Sequence, residues 1–358
     1  MQVHVVRPEE VGRSERESWN GLLTTHPYLD DPFLTPEFAD LVASVRGGAR
    51  VAVLEDGGCT GYFPFESHAL GLGRPIGHGL CDFQAVIAAD DLLDGPALLR
   101  GCGRTLLRFD HLDARQARLL GVRRAAECAA PYLDLRHGYD YYASERRRVS
   151  RTLLSTTERK ARKLGREVGE LRFEAESADH ALLDRLITWK RDQYRRTCVP
   201  DVLTQHETRN LLHRVVDASE PGFSGVLTVL VAGDRPVAAH LGVRTGSTLT
   251  WWLPGYDPVF ASFSPGVMLA LRLAEWAAGT GVKRVDLGKG DEHYKQRLKS
   301  GDRILADGWL ASPLVAKSFG YAHRMRGRLR RPREHVRKPT ETSRGETSPI
   351  ETPEVATK

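Results

Sequence analysis

The stretch VDLGKGDEHYKQRLKSGDR, residues 285–303, crowds Asp286, Asp291, Glu292, His293, Tyr294 and Lys295 around a two-glycine turn. A carboxylate, an imidazole, a phenol and an amine this close together could remove a proton, return one, or stabilise developing negative charge. The competing reading is a solvated turn whose acids complement a helix N-terminus. Three further places carry residues suited to chemistry. His240 sits within the apolar run PVAAHLGVR, where it is either a base or a hydrogen-bonded core residue. Lys190 and Tyr194 are four positions apart, one turn on a helix, and could line a cleft or simply lie on a solvated face. Ser264, Pro265, Gly266 and Val267 read as a helix start, whose free N–H groups can face an anion.

These residues need elements to hold them. The first half reads as mixed α/β. Strand-like QVHVV is followed by helical patterns, one of them opened by Thr35 and Pro36, and then by ARVAVLED, CTGYFPFES, TLLRFDHL and PYLDL. A long polar helix or helix pair follows. The second half reads as a strand, two helices, three antiparallel strands (GVLTVLVAG, PVAAHLGVR, TLTWWLPGY), the SPG helix and the strand VKRVDLG. That order is α+β, not a doubly wound sheet, and the first half offers a reduced version of it. The division expected is 1–137 and 138–316, with a basic, then Pro/Ser/Thr/Glu-rich disordered tail at 317–358.

Composition narrows the classes. The chain has 358 residues, 41% hydrophobic and 8% aromatic, as in soluble globular proteins. No run of 18 apolar residues predicts a transmembrane helix, and the N-terminus lacks a secretory signal, so the cytoplasm is expected. The five cysteines form no CxxC pair, which leaves neither a disulfide framework nor a metal site. The net charge of +6 is unevenly placed: residues 146–166 and 317–338 each hold nine Lys/Arg against one Glu. Such segments suit phosphates, nucleic acid or an anionic membrane face, or are merely solvated. Arg74–Gly79, RPIGHG, matches the R-x-x-G-x-G pattern of an acyl-CoA loop, but no helix pattern follows it.

The run from Pro236 to Gly301 resembles the GNAT-type acyltransferase domain of CelD/BcsL-like proteins. That group is similar to the FemAB/FemX peptidyltransferases, which carry two GNAT-like units in tandem. The resemblance rests on His240, the GYD turn with Tyr256 and Asp257, the SPG helix start, and D-L-G-x-G-x-x-x-Y-K from Asp286 to Lys295. DDPFLTPEF and GLCDFQAVI extend it into the first half, and SPGVML departs from the usual acetyl-CoA loop. It implies acyl transfer to an amine or hydroxyl, with acetyl-CoA or another acyl-CoA as co-substrate and no tightly bound cofactor. The implied acceptor is a sugar nucleotide or a cell-envelope or exopolysaccharide precursor.

The resemblance also implies roles. Lys295 would bind acceptor phosphate or stabilise the oxyanion, and Tyr294 would protonate the leaving thiolate. Glu292, His293 or His240 would be the base, and an imidazole titrating near ~6.5 suits that task. Leu253 would offer an oxyanion N–H on a splayed strand, because Pro254 has none. Ser264, Gly266 and Val267 would meet the donor, while Lys190, Tyr194, Asp257 and Asp286 would meet the acceptor, Asp286 by fixing the glycine turn. His240 and Lys295 are expected to open into one hollow beside the Pro265 helix. The alternatives are an aminoacyl-tRNA-dependent peptidyltransferase using the basic segment, and a non-catalytic binding protein. Peripheral membrane contact through the basic tail is a further expectation.

Overall fold

The computed structural model describes residues 1–317, and Met1–Val315 form one compact unit. The expected tail therefore lies, apart from Lys317, outside the described residues. The first half runs β1 (Gln2–Val6), α1 (Arg13–Thr25), α2 (Pro36–Ala43), β2 (Ala49–Asp56), β3 (Cys59–Ser67), β4 (Leu72–Pro75), α3 (Gly95–Gly101), β5 (Leu106–Asp113), α4 (Ala114–Leu119) and β6 (Arg123–Asp134). Two helices follow, α5 (Tyr139–Val149) and α6 (Leu153–Glu167). The second half then runs β7 (Leu171–Glu174), α7 (His180–Thr197), α8 (His206–Asp217), a two-residue β8 (Ser219–Glu220), β9 (Phe223–Ala232) and β10 (Arg235–Arg244). It closes with β11 (Thr248–Thr250), β12 (Leu253–Tyr256), α9 (Pro265–Gly279), β13 (Arg284–Asp286), α10 (His293–Leu298) and β14 (Gly301–Ala311).

All strands join one mixed, mostly antiparallel sheet in the order β1-β2-β3-β4-β5-β14-β6-β13-β11-β10-β9-β7, with β12 on β10 and β8 on β9. The order is a palindrome of the two halves. β1, β2, β3, β4 and β5 correspond to β7, β9, β10, β11 and β13, and the last strands, β6 and β14, are exchanged. β14 inserts beside β5, and β6 beside β13. Among the described residues the parallel strand pairs, β4–β5 and β11–β13, occupy matching places. This is the α+β, two-unit architecture read from the sequence, now with one sheet common to both units.

Helices cover both faces. Trp19, Phe38, Leu186 and Leu211, from α1, α2, α7 and α8, share one apolar core that runs across the two halves. On the other face α3 and α4 cover the first half, while α5, α6 and α9 cover the second. The halves are also pinned by buried charge. Arg303 on β14 lies 3.1 Å from both Asp31 and Asp286, and its guanidinium stacks over Phe83. Arg284 pairs with Asp286 at 3.2 Å and donates to the Asp30 carbonyl. Asp30 also accepts from Thr245, Ser247 and Thr248. The DDP motif at 30–32 is thus a clamp between halves. Burial pushes the Asp31 carboxyl up to about 7 even with Arg303 opposing it.

Candidate functional site

The run TLTWWLPGY, read as one strand, is two. β11 pairs with β10 in a register one residue out of step with β12, so the chain bulges at Trp251–Trp252. At the same point β11 and β13 part. The Trp251 N–H reaches the Asp286 carbonyl at 2.6 Å. Beyond it β12 stays on β10, while Leu287 and Gly290 donate to Pro131 and Ala129 of β6. Among the described residues no backbone hydrogen bond joins β12 to 287–290, so a V-shaped gap opens there.

The turn 287–290 is built for close approach. Gly288 and Gly290 have φ of 69° and 136°, and a Cβ on Gly288 would stand 2.8 Å from an Asp82 carboxylate oxygen. Lys295, on α10, is only 6% exposed. Its Nζ donates to the Lys289 carbonyl at 2.9 Å and sits 3.1 Å from Glu292. Lys190, on α7, donates to the Pro254 carbonyl at 3.2 Å and lies 5.4 Å from the Tyr194 ring centre. Burial pushes the Lys190 amine down to about 8, with the charge of Lys295 adding to the fall. Burial also pushes the Tyr194 hydroxyl up to about 12.

Asp82 ties these groups together. Burial raises its carboxyl, against the fields of His111, Lys295 and Lys190. Tyr294 belongs to the same neighbourhood: burial raises its hydroxyl strongly, the Trp251 indole pulls the other way, and Glu292 and Asp82 add to the rise. The structure therefore brings Lys190, Tyr194, Glu292, Tyr294 and Lys295 to the mouth of the gap. Asp82 was missed, because an acid in a loop of the other half carries no local signal.

Other expectations are corrected. His240 is fully buried. Its Nε2 donates to the Thr250 carbonyl at 3.0 Å, its Nδ1 is 3.4 Å from the Thr228 hydroxyl, and its ring stacks on Trp251 at 4.5 Å. Burial pushes this imidazole down to about 3. It is a neutral core histidine that opens into no hollow, so the shared cavity with Lys295 does not form. Leu253 is also mis-assigned. Asp257 N–H bonds the Val237 carbonyl, and stepping back by twos along the register turns the Leu253 N–H toward Leu241 of β10. The Trp252 and Tyr256 N–H groups, of opposite phase, face away from β10. Asp257 caps a short 3-10 turn through the Val259 N–H, and Asp286 is committed to Arg284 and Arg303, not to the glycine turn.

At the start of α9, Ser264 is left-handed with φ 59° and holds Lys160 of α6 at 2.7 Å, while Lys163 lies over Phe263. Gly266 leaves room there, its nearest neighbour being the Tyr256 ring, and the Val267 N–H is bonded to Ser264. The basic segment thus meets this helix start, as nothing local in the sequence required. His293 is exposed at the first position of α10. RPIGHG ends β4 and turns through Gly77 and Gly79 without a following helix.

Residues 151–296 match the family of acetyltransferase (GNAT) domains. This stretch is similar to a GNAT acetyltransferase domain. That match spans the basic helix α6, the splayed strands and Lys295. No curated protein matches. Among solved structures, FemX is similar at 12% identity and a TM-score of 0.56, over 86% of this chain and 96% of that one. The C-terminal domain of a putative lysylphosphatidylglycerol synthetase from Agrobacterium fabrum is similar at 13% identity and a TM-score of 0.53, over 87% and 96%. L-PGS from Bacillus licheniformis gives 13% and 0.50, over 87% and 96%. At such identities the likeness is one of fold. Among the described residues no helix is long and apolar enough to cross a membrane.

Proposed function

We propose that the chain transfers an acyl group from acetyl-CoA or another acyl-CoA to an amine or hydroxyl of a sugar-containing or cell-envelope precursor in the cytoplasm. One observation carries the reading: Lys190, bonded to the Pro254 carbonyl, and Lys295, bonded to the Lys289 carbonyl, flank the place where β12 separates from the turn after β13. In a GNAT domain such a gap admits the donor thioester alongside exposed strand N–H groups. The Trp252 and Tyr256 N–H groups are the candidate oxyanion donors. The acceptor atom attacks the thioester carbon, the C–S bond breaks, and Tyr294 is the candidate proton donor to the departing thiolate. The six exposed Arg/Lys residues of α5 and α6, with Lys160 and Lys163 at the start of α9, supply a cationic approach for the donor's phosphates.

The test incubates the protein with acetyl-CoA, longer acyl-CoAs and amino-sugar nucleotides, and follows free thiol. Release that depends on the acceptor supports the reading. No release, together with no thermal shift from any CoA ester, ends it. The same basic face favours one second reading, an aminoacyl-tRNA donor. RNA binding that falls steeply with salt, and aminoacyl transfer without CoA, would put that reading first.

A further inference from the structure

The first half has its own parting of parallel strands, and charge is concentrated there too. β4 and β5 pair only at Leu72–Leu106 and Gly73–Leu107. Farther along, β5 bulges against β14: Leu112 faces Ala306 and Phe109 faces Gly308, so Asp110 and His111 together oppose Asp307. Bulges of this kind re-aim side chains beside functional sites. Here they gather three titratable groups. The Asp110 carboxylate lies 3.2 Å from His111 Nδ1 through one oxygen and 3.4 Å from His78 Nδ1 through the other. Gln84 is 2% exposed and donates to the first oxygen at 2.5 Å, while its own carbonyl oxygen accepts from the Asp110 and His111 N–H groups.

Both Nδ1 atoms are buried and have no aligned hydrogen bond, so the carboxylate is the group they face. Burial raises the Asp110 carboxyl, but His111 and His78 outweigh it and hold the group below the usual carboxylate range. A carboxylate on Nδ1 leaves Nε2 as the free, proton-accepting nitrogen.

This corner is continuous with the gap in the second half. Lys289, in the glycine turn, donates to the Asp110 carbonyl at 2.8 Å and pairs with Asp307 at 3.1 Å. Asp82 lies against Gly288 of the same turn, within the fields of His111, Lys295 and Lys190. We infer that His111, oriented by Asp110, is the base that takes the acceptor's proton, so that the catalytic acid–base group comes from the opposite half to the acyl-binding gap. This rests on the acyl-transfer reading above. As the acceptor's O or N bonds to the acyl carbon, its proton passes to His111 Nε2. The C–S bond then breaks and the thiolate leaves as the thiol, its proton coming from Tyr294, which His111 ultimately replenishes through solvent. Asp110 is a positioning residue. The charged and titratable groups around His111 are Asp110 on its own strand, His78 and Asp82 from the loop after β4, Lys289 from the glycine turn and Asp307 from β14.

The experiment uses the full chain with acetyl-CoA and glucosamine, and with acetyl-CoA alone and water as acceptor, following thiol release from pH 5.5 to 9. His111→Gln should lower kcat/KM by about 10²- to 10³-fold, the range for a lost general base, and erase the acid limb of the profile. Asp110→Asn should lower kcat and leave KM within about threefold, while His78→Gln costs less than about tenfold. Nitrogen-15 NMR of the folded wild type should show His111 protonated at Nδ1. An Nε2-protonated His111, or a folded His111→Gln enzyme with the wild-type rate and pH profile, overturns the assignment. A wild type that releases no thiol with either acceptor removes the acyl-transfer reading and this role with it.

Discussion

The two halves repeat one element order, yet treat the parting of their parallel strands differently. In the first half the gap between β4 and β5 is filled by the chain itself. Gln84 bridges to Leu112, and its backbone bonds His111 and Asp113, while Ile87 pairs with Tyr62 of β3. In the second half the equivalent gap is lined by side chains instead: Lys190 over Pro254, Lys295 over the glycine turn, and Tyr294 near Trp251. One opening is closed by main chain and keeps a carboxylate ionised. The other stays open and crowds two amines. The same frame occurs twice, and the segment after the parting strands is what differs between the copies.

The largest break in that contrast should come from Lys295→Met. Losing the buried amine beside the open gap should lower kcat/KM for acetyl-CoA by about 10²-fold or more, with circular dichroism unchanged. A rate within threefold of wild type would leave the open gap without a function.

Next comes the clamp that holds the halves in register. Arg303→Met leaves Asp31 and Asp286 buried without their shared cation, and should cost about 3 kcal/mol by urea unfolding at pH 7. A cost near zero would mean that the Asp30 hydrogen bonds and the apolar contacts hold the halves without Arg303.

A smaller effect tests the pair of amines. Lys190 carries charge below about pH 8 and loses it above. KM for acetyl-CoA should therefore rise severalfold between pH 7 and 9 in the wild type and stay flatter in Lys190→Arg. The stability sign is opposite to that of a paired lysine. The folded value lies below the ordinary lysine value of 10.5, so the favourable contribution is present above 10.5 and is lost as pH falls through about 8. Lys190→Met should thus gain on the wild type in urea midpoint at pH 7 relative to pH 9.5.

The smallest effect on rate is expected at His240. His240→Gln should keep kcat/KM within about threefold while losing about 1–2 kcal/mol of stability, because the Thr250 carbonyl loses a well-placed donor. A hundredfold loss in rate without a loss of stability would reinstate it as a base.

Much of the fold was legible. Pro265 at the first position of α9 and the Thr35–Pro36 start of α2 read directly from their local chemistry. The strand GDRILADGWLA did not, since Asp302, Arg303 and Asp307 interrupt its apolar pattern, and these charges make sense only once β5 and β6 flank it. For the same reason PYLDL, read as a short strand, is the end of the twelve-residue β6. At the site, Tyr294 and Lys295 were named from the resemblance carried by the motif Asp286–Lys295, and the fold sets Lys295 against the glycine turn. His240 misled because a histidine in an apolar strand has the same sequence signature whether it faces substrate or core.

The chain's own order of residues determined where strands and helices begin, the doubled sequence of elements, and the cluster of polar groups after β13. Those follow from capping, periodicity and glycine conformation, all of which act within a few neighbouring positions. Only the tertiary structure decided that the last strand of each half crosses to the other, that Asp82 and the Asp110–His111 corner reach the gap beside Lys295, and that His240 turns inward. Those outcomes depend on which surfaces exclude water together, and pairings between residues far apart in the chain leave no mark on the local sequence of either partner.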